Sequence, residues 1–430
     1  MRAWKKLVTV EDWWAVWIGF LVLGAVFLGV VSAVPKIPKW QTLDEVLAAV
    51  PGVPLLLLMI GLGGLSVLAM GAIQRQAGRF AVGFPVLFCL ALLSFLVAGN
   101  RSLAAYGLSY ALWALLIGLA WSNLLGVPSW LKPSVRSELF IKTGLVILGA
   151  EIIFGNILTL GRYGVLVAWG VTPVVLVSMF WFGYRRLKLA PSFAVTIAAA
   201  TSVCGVSAAI AAASASKAKK EELTLAVAMT LIFTVLMMVL MPLVCRWMEL
   251  DMIVAGAWLG GTIDSTGAVV AAGQMLGDQS MQAAAVIKMI QNASIGLVAL
   301  LIALYWVTRV EPNEGRRPGA IEIWNRFPKF VLGFIAASCV VSLVLVPLLG
   351  TESVGQSLQA SKAIRTWLFC LAFLCIGLES DFRALARQMA GGRPLLLYWS
   401  GQTLNIVLTL LAAWLAFSGI LFPKIVLEIP

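Results

Sequence analysis

There is no histidine in the 430 residues. That removes imidazole from general acid–base chemistry, from metal ligation and from pH switching near neutrality. Charge is scarce as well. Asp, Glu, Lys and Arg make up 12% of the chain, against about 25% in a soluble domain. So few charges cannot cover a soluble surface. The six cysteines all lie in apolar stretches with no C-x-x-C spacing, and the nearest pair is Cys370 and Cys375. Such thiols read as small buried hydrophobes, not as a metal or redox pair. The sequence also lacks H-E-x-x-H, G-x-S-x-G and G-x-G-D motifs and an Asp-rich diphosphate site. An intramembrane enzyme therefore has no recognisable centre here, and we do not expect one.

What is abundant is apolar. Hydrophobic residues are 61% of the chain and the mean hydropathy is +0.99. We therefore expect an all-α polytopic membrane protein of about 11–13 segments, at about 20 residues per crossing. Thirteen apolar stretches can be drawn, at 13–34, 52–73, 79–98, 106–125, 139–160, 163–184, 191–215, 223–245, 252–273, 280–308, 328–348, 362–380 and 394–418. The first is too long for a signal-peptide core and follows Glu11 and Asp12, so we read it as a span. Residues 39–48 read as a short interfacial amphipathic helix. We divide the chain into an N-terminal extension (1–105), a first half and core (106–308), a cytoplasmic linker (309–329) and C-terminal helices (330–430).

Lys and Arg outnumber Asp and Glu by 31 to 19. In a membrane protein this excess marks cytoplasmic loops, not nucleic-acid binding. If every stretch crosses, the N-terminal side carries 19 basic residues against 10. That places the N-terminus in the cytoplasm.

Two stretches stand apart. PSFAVTIAAATSVCGVSAAIAAASA (191–215) and MIVAGAWLGGTIDSTGAVVAAG (252–273) consist mostly of small residues around a hydroxyl-rich, Gly-containing centre. Small residues indicate close helix packing, and polar Gly-containing centres indicate broken helices near the midplane. At an offset of 60 residues, Ala208–Ala212 overlays Ala268–Ala272 and Thr201–Ser207 overlays Gly261–Gly267. At an offset of 228, Gly149, Glu151, Phe154 and Gly164 overlay Gly377, Glu379, Phe382 and Gly392. Both matches point to an inverted-repeat transporter. The broken segments can be crossing helices or re-entrant hairpins. Hairpins raise the charge bias to 21 against 8, which favours them modestly.

Ionisable groups inside spans cost at least about 2.5–3.5 kcal/mol on insertion scales, so they mark function. Asp264 lies in the break formed by Thr262, Asp264, Ser265 and Thr266, where a carboxylate among hydroxyls can take a proton or sodium ion. It can also cap the helix that follows, and the two roles are compatible. Lys288, Gln291 and Asn292 share a helix face at i, i+3 and i+4, where the lysine can pair with Asp264 or attract an anion. Thr201, Ser202, Cys204, Gly205 and Ser207 form the other break. The positive ends of two half-helices facing each other would make an anion site. Glu151 is a second carboxylate that could hold a coupling ion, and Glu379 is its match at offset 228.

Four of these stretches also carry a resemblance: Lys142–Leu148 (KTGLVIL), Ser202–Ala213 (SVCGVSAAIAAA), Gly260–Gly273 (GGTIDSTGAVVAAG) and Ala284–Met289 (AAVIKM). Through them residues 106–420 resemble the YeiH-type sulfate exporter family, distantly related to bile acid–sodium symporters and cation/proton antiporters. The chain departs from that family in having Asp264-Ser265 where His-Glu is common, and Gln291 where an arginine is common. The resemblance implies an inner-membrane transporter with a core of broken helices. We therefore expect a secondary transporter of a small anion (sulfate, sulfonate or carboxylate), acting as a homodimer. No cofactor is expected beyond a coupling proton or sodium ion. The alternative is a cation/proton antiporter using Asp264 and Lys288.

Overall fold

A computed structural model of the chain describes residues 7–31, 33–35, 37–42, 44–45, 50–104, 109–310, 321–383 and 392–425. Among these residues there is no β-strand, and the chain is an all-α polytopic membrane protein. Its main helices are α1 (Glu11–Phe27), α2 (Gly52–Gln74), α3 (Ala77–Gly99), α4 (Tyr110–Ala120), α5 (Ser137–Glu151), α6 (Phe154–Arg186), α7 (Pro191–Ala199), α8 (Gly205–Ala215), α9 (Lys220–Trp247), α10 (Met252–Thr262), α11 (Thr266–Leu276), α12 (Asp278–Val310), α13 (Ile321–Arg326), α14 (Lys329–Leu349), α15 (Thr351–Glu379) and α16 (Arg393–Phe417). Nine segments among the described residues are long and apolar enough to cross a membrane. The interfacial helix expected at 39–48 and the linker at 309–329 lie partly outside the described residues.

The helices form two compact units, each from non-contiguous sequence. One takes residues 1–156 and 329–381, and the other takes 157–328 and 382–427. In the first unit, α5 packs on α1, α14 and α15. Small residues allow the approach. A Cβ on Gly149 would meet the Phe334 backbone, and one on Gly377 would meet Leu115 O and the Gly118 backbone. Lys142 on α5 reaches Asp12 at 3.0 Å, Glu138 at 3.1 Å and Glu11 at 3.6 Å, which fixes α1 to α5.

Two boundaries differ from the sequence reading. A break was expected near residue 161, between the stretches 139–160 and 163–184. It falls instead at Ile152–Ile153, after which α6 runs unbroken as one 33-residue helix. The reason is side-chain capping that hydropathy cannot register: Ser338 Oγ donates to Ile152 O at 2.5 Å, and Phe154 N donates to Ser342 Oγ at 3.0 Å. Likewise α15 begins at Thr351, well before the apolar run at 362, so Arg365 lies at mid-helix and not at an end.

In the second unit both small-residue segments double back. A Cβ on Gly256, early in α10, would come within 2.9 Å of Ala283 Cβ and 3.0 Å of Ser280 Cα. One on Gly273, late in α11, would come within 2.7 Å of Met281 Cα. Both arms therefore lie at one level of α12, and the tip reaches Asn292, which donates to Thr266. Ser192, at the start of α7, bonds Glu222 at 2.9 Å, while α8 ends at Ala215, five residues before Lys220. So α7 and α8 also form a hairpin. Helix α9 joins the bases of the two hairpins. Its 28 residues span about 42 Å at 1.5 Å per residue, so the hairpins enter from opposite ends and meet tip to tip. This is the re-entrant alternative. Pro191–Ala215 is long enough to cross, yet its arms lie side by side.

Candidate functional site

The site grows out of the problem every broken helix poses. Where α7 and its wide last turn (Ala200–Cys204) stop, and where α10 stops, backbone carbonyls lose their helical partners inside an apolar core. Polar side chains supply donors, with Thr172 Oγ1 donating to Ser202 O at 3.1 Å and Gln402 Nε2 to Thr262 O at 3.3 Å. Lys288 Nζ donates to Val203 O at 2.8 Å, Ile263 O at 2.8 Å and Gln291 Oε1 at 2.7 Å. Gln291 Nε2 donates to Ser202 O at 3.0 Å and Gly261 O at 3.2 Å, with Thr172 Oγ1 at 3.3 Å. Asn405 Nδ2 donates to Thr201 O and Thr262 O, each at 3.3 Å. Val203 and Ile263 lie 60 residues apart in sequence, and one ammonium closes a carbonyl of each tip. A cation at two helix C-terminal ends is also favoured by their dipoles.

The other halves of the hairpins present the opposite pole. Helices α8 and α11 begin at the tips, and neither Cys204 nor Ser265 caps them with its side chain. Asp264 sits beside the start of α8: a Cβ on Gly205 would come within 2.6 Å of Thr230 Cγ2 and 3.5 Å of Asp264 Cβ. Tyr398 OH donates to Asp264 Oδ2, and Asp264 Oδ1 has no partner. Tyr398 stacks on Phe233 with centroids 4.6 Å apart, which fixes the direction of its hydroxyl. Asn292 Nδ2 donates to Thr266 Oγ1 at 3.0 Å, Cys204 Sγ lies 4.0 Å from the same oxygen, and Asn292 Oδ1 is unpartnered.

The structure thus gathers Thr201, Ser202, Cys204, Gly205, Thr262, Asp264, Thr266, Lys288, Gln291 and Asn292 into one buried cluster, with Ser265 half-buried at the tip. Ser207 is exposed on the first turn of α8, outside the cluster. Glu151 belongs to the first unit. Arg365 holds it there through a two-pronged pair at 2.7 and 2.9 Å, with both side chains buried. Glu379 accepts from Ser137 Oγ at 2.6 Å at the start of α5. One expectation is corrected. Lys288 is not an open counter-charge, because all three of its hydrogens are engaged by the protein. The carbonyls of the breaks need those donors more than an external anion does.

Thr172 on α6 and four residues of α16 escaped the sequence reading. Tyr398, Gln402, Asn405 and Thr409 lie at i, i+4, i+7 and i+11 on one buried face of α16. Thr409 donates to Asn405 Oδ1 at 3.0 Å and so orients the amide. The polar residues at helical spacing within 394–418 were the available signal.

Fold and site together define a polytopic helical membrane protein whose polar centre is built from two opposed re-entrant hairpins. Residues 82–398 match the family described as Conserved hypothetical protein 698, and the chain belongs to that family, whose curated members are named UPF0324 membrane proteins. It is 51% identical to such a protein of Rhodopirellula baltica over 80% of this chain and 64% of the relative. It is 45% identical to one of Nitratidesulfovibrio vulgaris over 87% of this chain and 65% of the relative. A protein of Nitrosomonas europaea is 28% identical over 90% of this chain and 91% of its own length. The chain thus spans just under two thirds of the first two relatives. No solved structure matches it.

Proposed function

We propose that the protein is a secondary active transporter of a small anion, coupled to protons or sodium and resident in the inner membrane with a cytoplasmic N-terminus. It acts as a carrier, not an enzyme, and as a homodimer. The observation that carries this reading is the pair of uncapped half-helix N-termini at Gly205 and Thr266, meeting beside Asp264. Backbone amides and positive dipole ends at a helix start attract anions without any arginine. The resemblance to YeiH-type sulfate exporters supports sulfate, a sulfonate or a carboxylate as the cargo class.

Coupling follows from charge. With Lys288 and Asp264 both ionised, their charges cancel and the carboxylate repels an incoming anion. A proton or sodium ion on Asp264 leaves the tips net positive, so loading favours anion binding. Gradient-driven uptake into proteoliposomes tests this. Asp264→Asn should abolish dependence on the gradient while the protein remains folded, and unchanged gradient-dependent uptake removes Asp264 from the coupling.

The unpartnered acceptor oxygen of Asp264 also favours a second reading, a cation/proton antiporter using Asp264 and Lys288. Charge moved per cycle on a solid-supported membrane separates the two. Currents that follow the anion species support anion transport, and currents that follow the cation alone support the antiporter.

A further inference from the structure

Besides Asn292 Oδ1, four buried oxygens around the tip of the second hairpin have no hydrogen-bond partner: Thr234 Oγ1, Thr262 Oγ1, Asp264 Oδ1 and Gln402 Oε1. Their residues are 3%, 1%, 1% and 4% exposed. A buried polar atom left without a partner is costly, and it calls for an explanation such as a missing ion. Contacts of their neighbours tie the four residues to one region. Gln402 Nε2 donates to Thr262 O at 3.3 Å and to Met237 Sδ at 2.8 Å. Asp264 is two residues from Thr262, and its other oxygen accepts from Tyr398, one turn before Gln402 on α16. Thr234 lies on the face of α9 that also carries Thr230 and Met237, at i−4 and i+3. Met237 meets Gln402, and Thr230 meets the Gly205–Asp264 corner.

The donor chemistry narrows the ligand. Two of the four are hydroxyls that could donate to the carboxylate or to the amide oxygen, yet neither does. Oxygens that share a cation stand apart from one another beyond hydrogen-bond reach. A single proton on Asp264 would answer at most one other acceptor. The set is all oxygen, which suits a hard cation. It holds one carboxylate, so it balances a single positive charge, and calcium sites by contrast gather several carboxylates. No group of three or more Cys, Asp or Glu that could hold a metal ion occurs among the described residues.

We propose that Thr234, Thr262, Asp264 and Gln402 bind a dehydrated sodium ion. This makes sodium the coupling ion of the transporter proposed above, and it rests on that reading for the ion's role but not for its binding. The hairpin tip then closes around the ion. Tyr398 keeps one carboxylate oxygen occupied, so the other faces the site, and Met237 holds the Gln402 amide with its oxygen turned inward.

The test is thermal unfolding of the purified full chain in sodium, potassium or choline chloride at constant ionic strength. Sodium should raise the melting temperature saturably by about 2 °C or more, because a ligand that binds only the folded state stabilises it. Thr234→Val and Gln402→Leu keep the side-chain volume. Each should raise the half-saturating sodium concentration about tenfold or more, with melting in choline confirming that the variant is folded. Asp264→Asn should not respond to sodium. An equal rise in potassium or choline overturns the proposal, as does an undiminished sodium response in the Thr234→Val/Gln402→Leu double variant. A sodium response in a protein that moves no anion into vesicles keeps the site and removes the transport reading. Anion flux with no sodium response does the reverse.

Discussion

Replacing Lys288 by methionine keeps an unbranched stem one atom shorter and removes its three hydrogen bonds. Val203 O, Ile263 O and Gln291 Oε1 then lose a charged donor in a buried setting. Each such bond is worth about 1.5–3 kcal/mol, and each orphaned acceptor costs about 1–3 kcal/mol. Two effects offset part of that loss. The core no longer has to hold a desolvated ammonium, and Gln291 can turn its amide toward the freed carbonyls. Because the carbonyls belong to two hairpins that enter from opposite ends, no single local shift can satisfy both. We therefore expect a net loss of about 3 kcal/mol. At about 2–4 °C per kcal/mol for a unit of this size, melting should fall by about 6–12 °C. The assay is unfolding of the ligand-free protein in detergent, followed by tryptophan fluorescence. Gln291→Leu, which removes a neutral amide, should cost less and fix the order of the series. If Lys288 were held in reserve for an anion, its removal would leave the ligand-free protein as stable as before, or more so. A Lys288→Met protein that melts within about 2 °C of the parent would refute the clamp.

Three further outcomes follow from the structure. Arg365→Leu strands the buried Glu151 carboxylate and should cost about 3–5 kcal/mol, whereas Glu151→Leu/Arg365→Leu should recover most of that loss; equal melting of single and double variants would contradict the pairing. In a cysteine-free background, Ser192→Cys and Lys219→Cys should label from the same side of a vesicle and Gln279→Cys from the other, while labelling of 192 and 219 from opposite sides would restore crossing helices. Asp251 lies outside the spans and caps α10 through Ile253 N at 3.0 Å, with Lys424 3.0 Å away. Burial pushes its carboxyl up, but those hydrogen bonds outweigh burial and hold it below the ordinary range. Asp251→Ala should therefore cost about 1 kcal/mol near neutral pH. The difference from the parent should persist above the ordinary carboxylate pKa and close as pH falls through the lowered value, read from melting temperatures across the acid range.

The sequence by itself determined the class and the place to look. Hydropathy forces an all-α membrane protein because backbone groups in lipid must be satisfied within a segment. Small residues around polar centres marked 191–215 and 252–273, and the cost of burying charge singled out Asp264 and Lys288. Only the tertiary structure decided what those residues touch. A 25-residue apolar segment can cross once or fold back, and the choice depends on which neighbours lie beside its arms, as Ser192 beside Glu222 shows. Burial cost says that Lys288 must have partners, but its partners are carbonyls from two segments 85 and 25 residues away in sequence. The polar stripe on α16 and the Arg365–Glu151 pair stayed hidden for the same reason: a residue's type fixes how much its burial costs, while the long-range packing fixes which group relieves that cost.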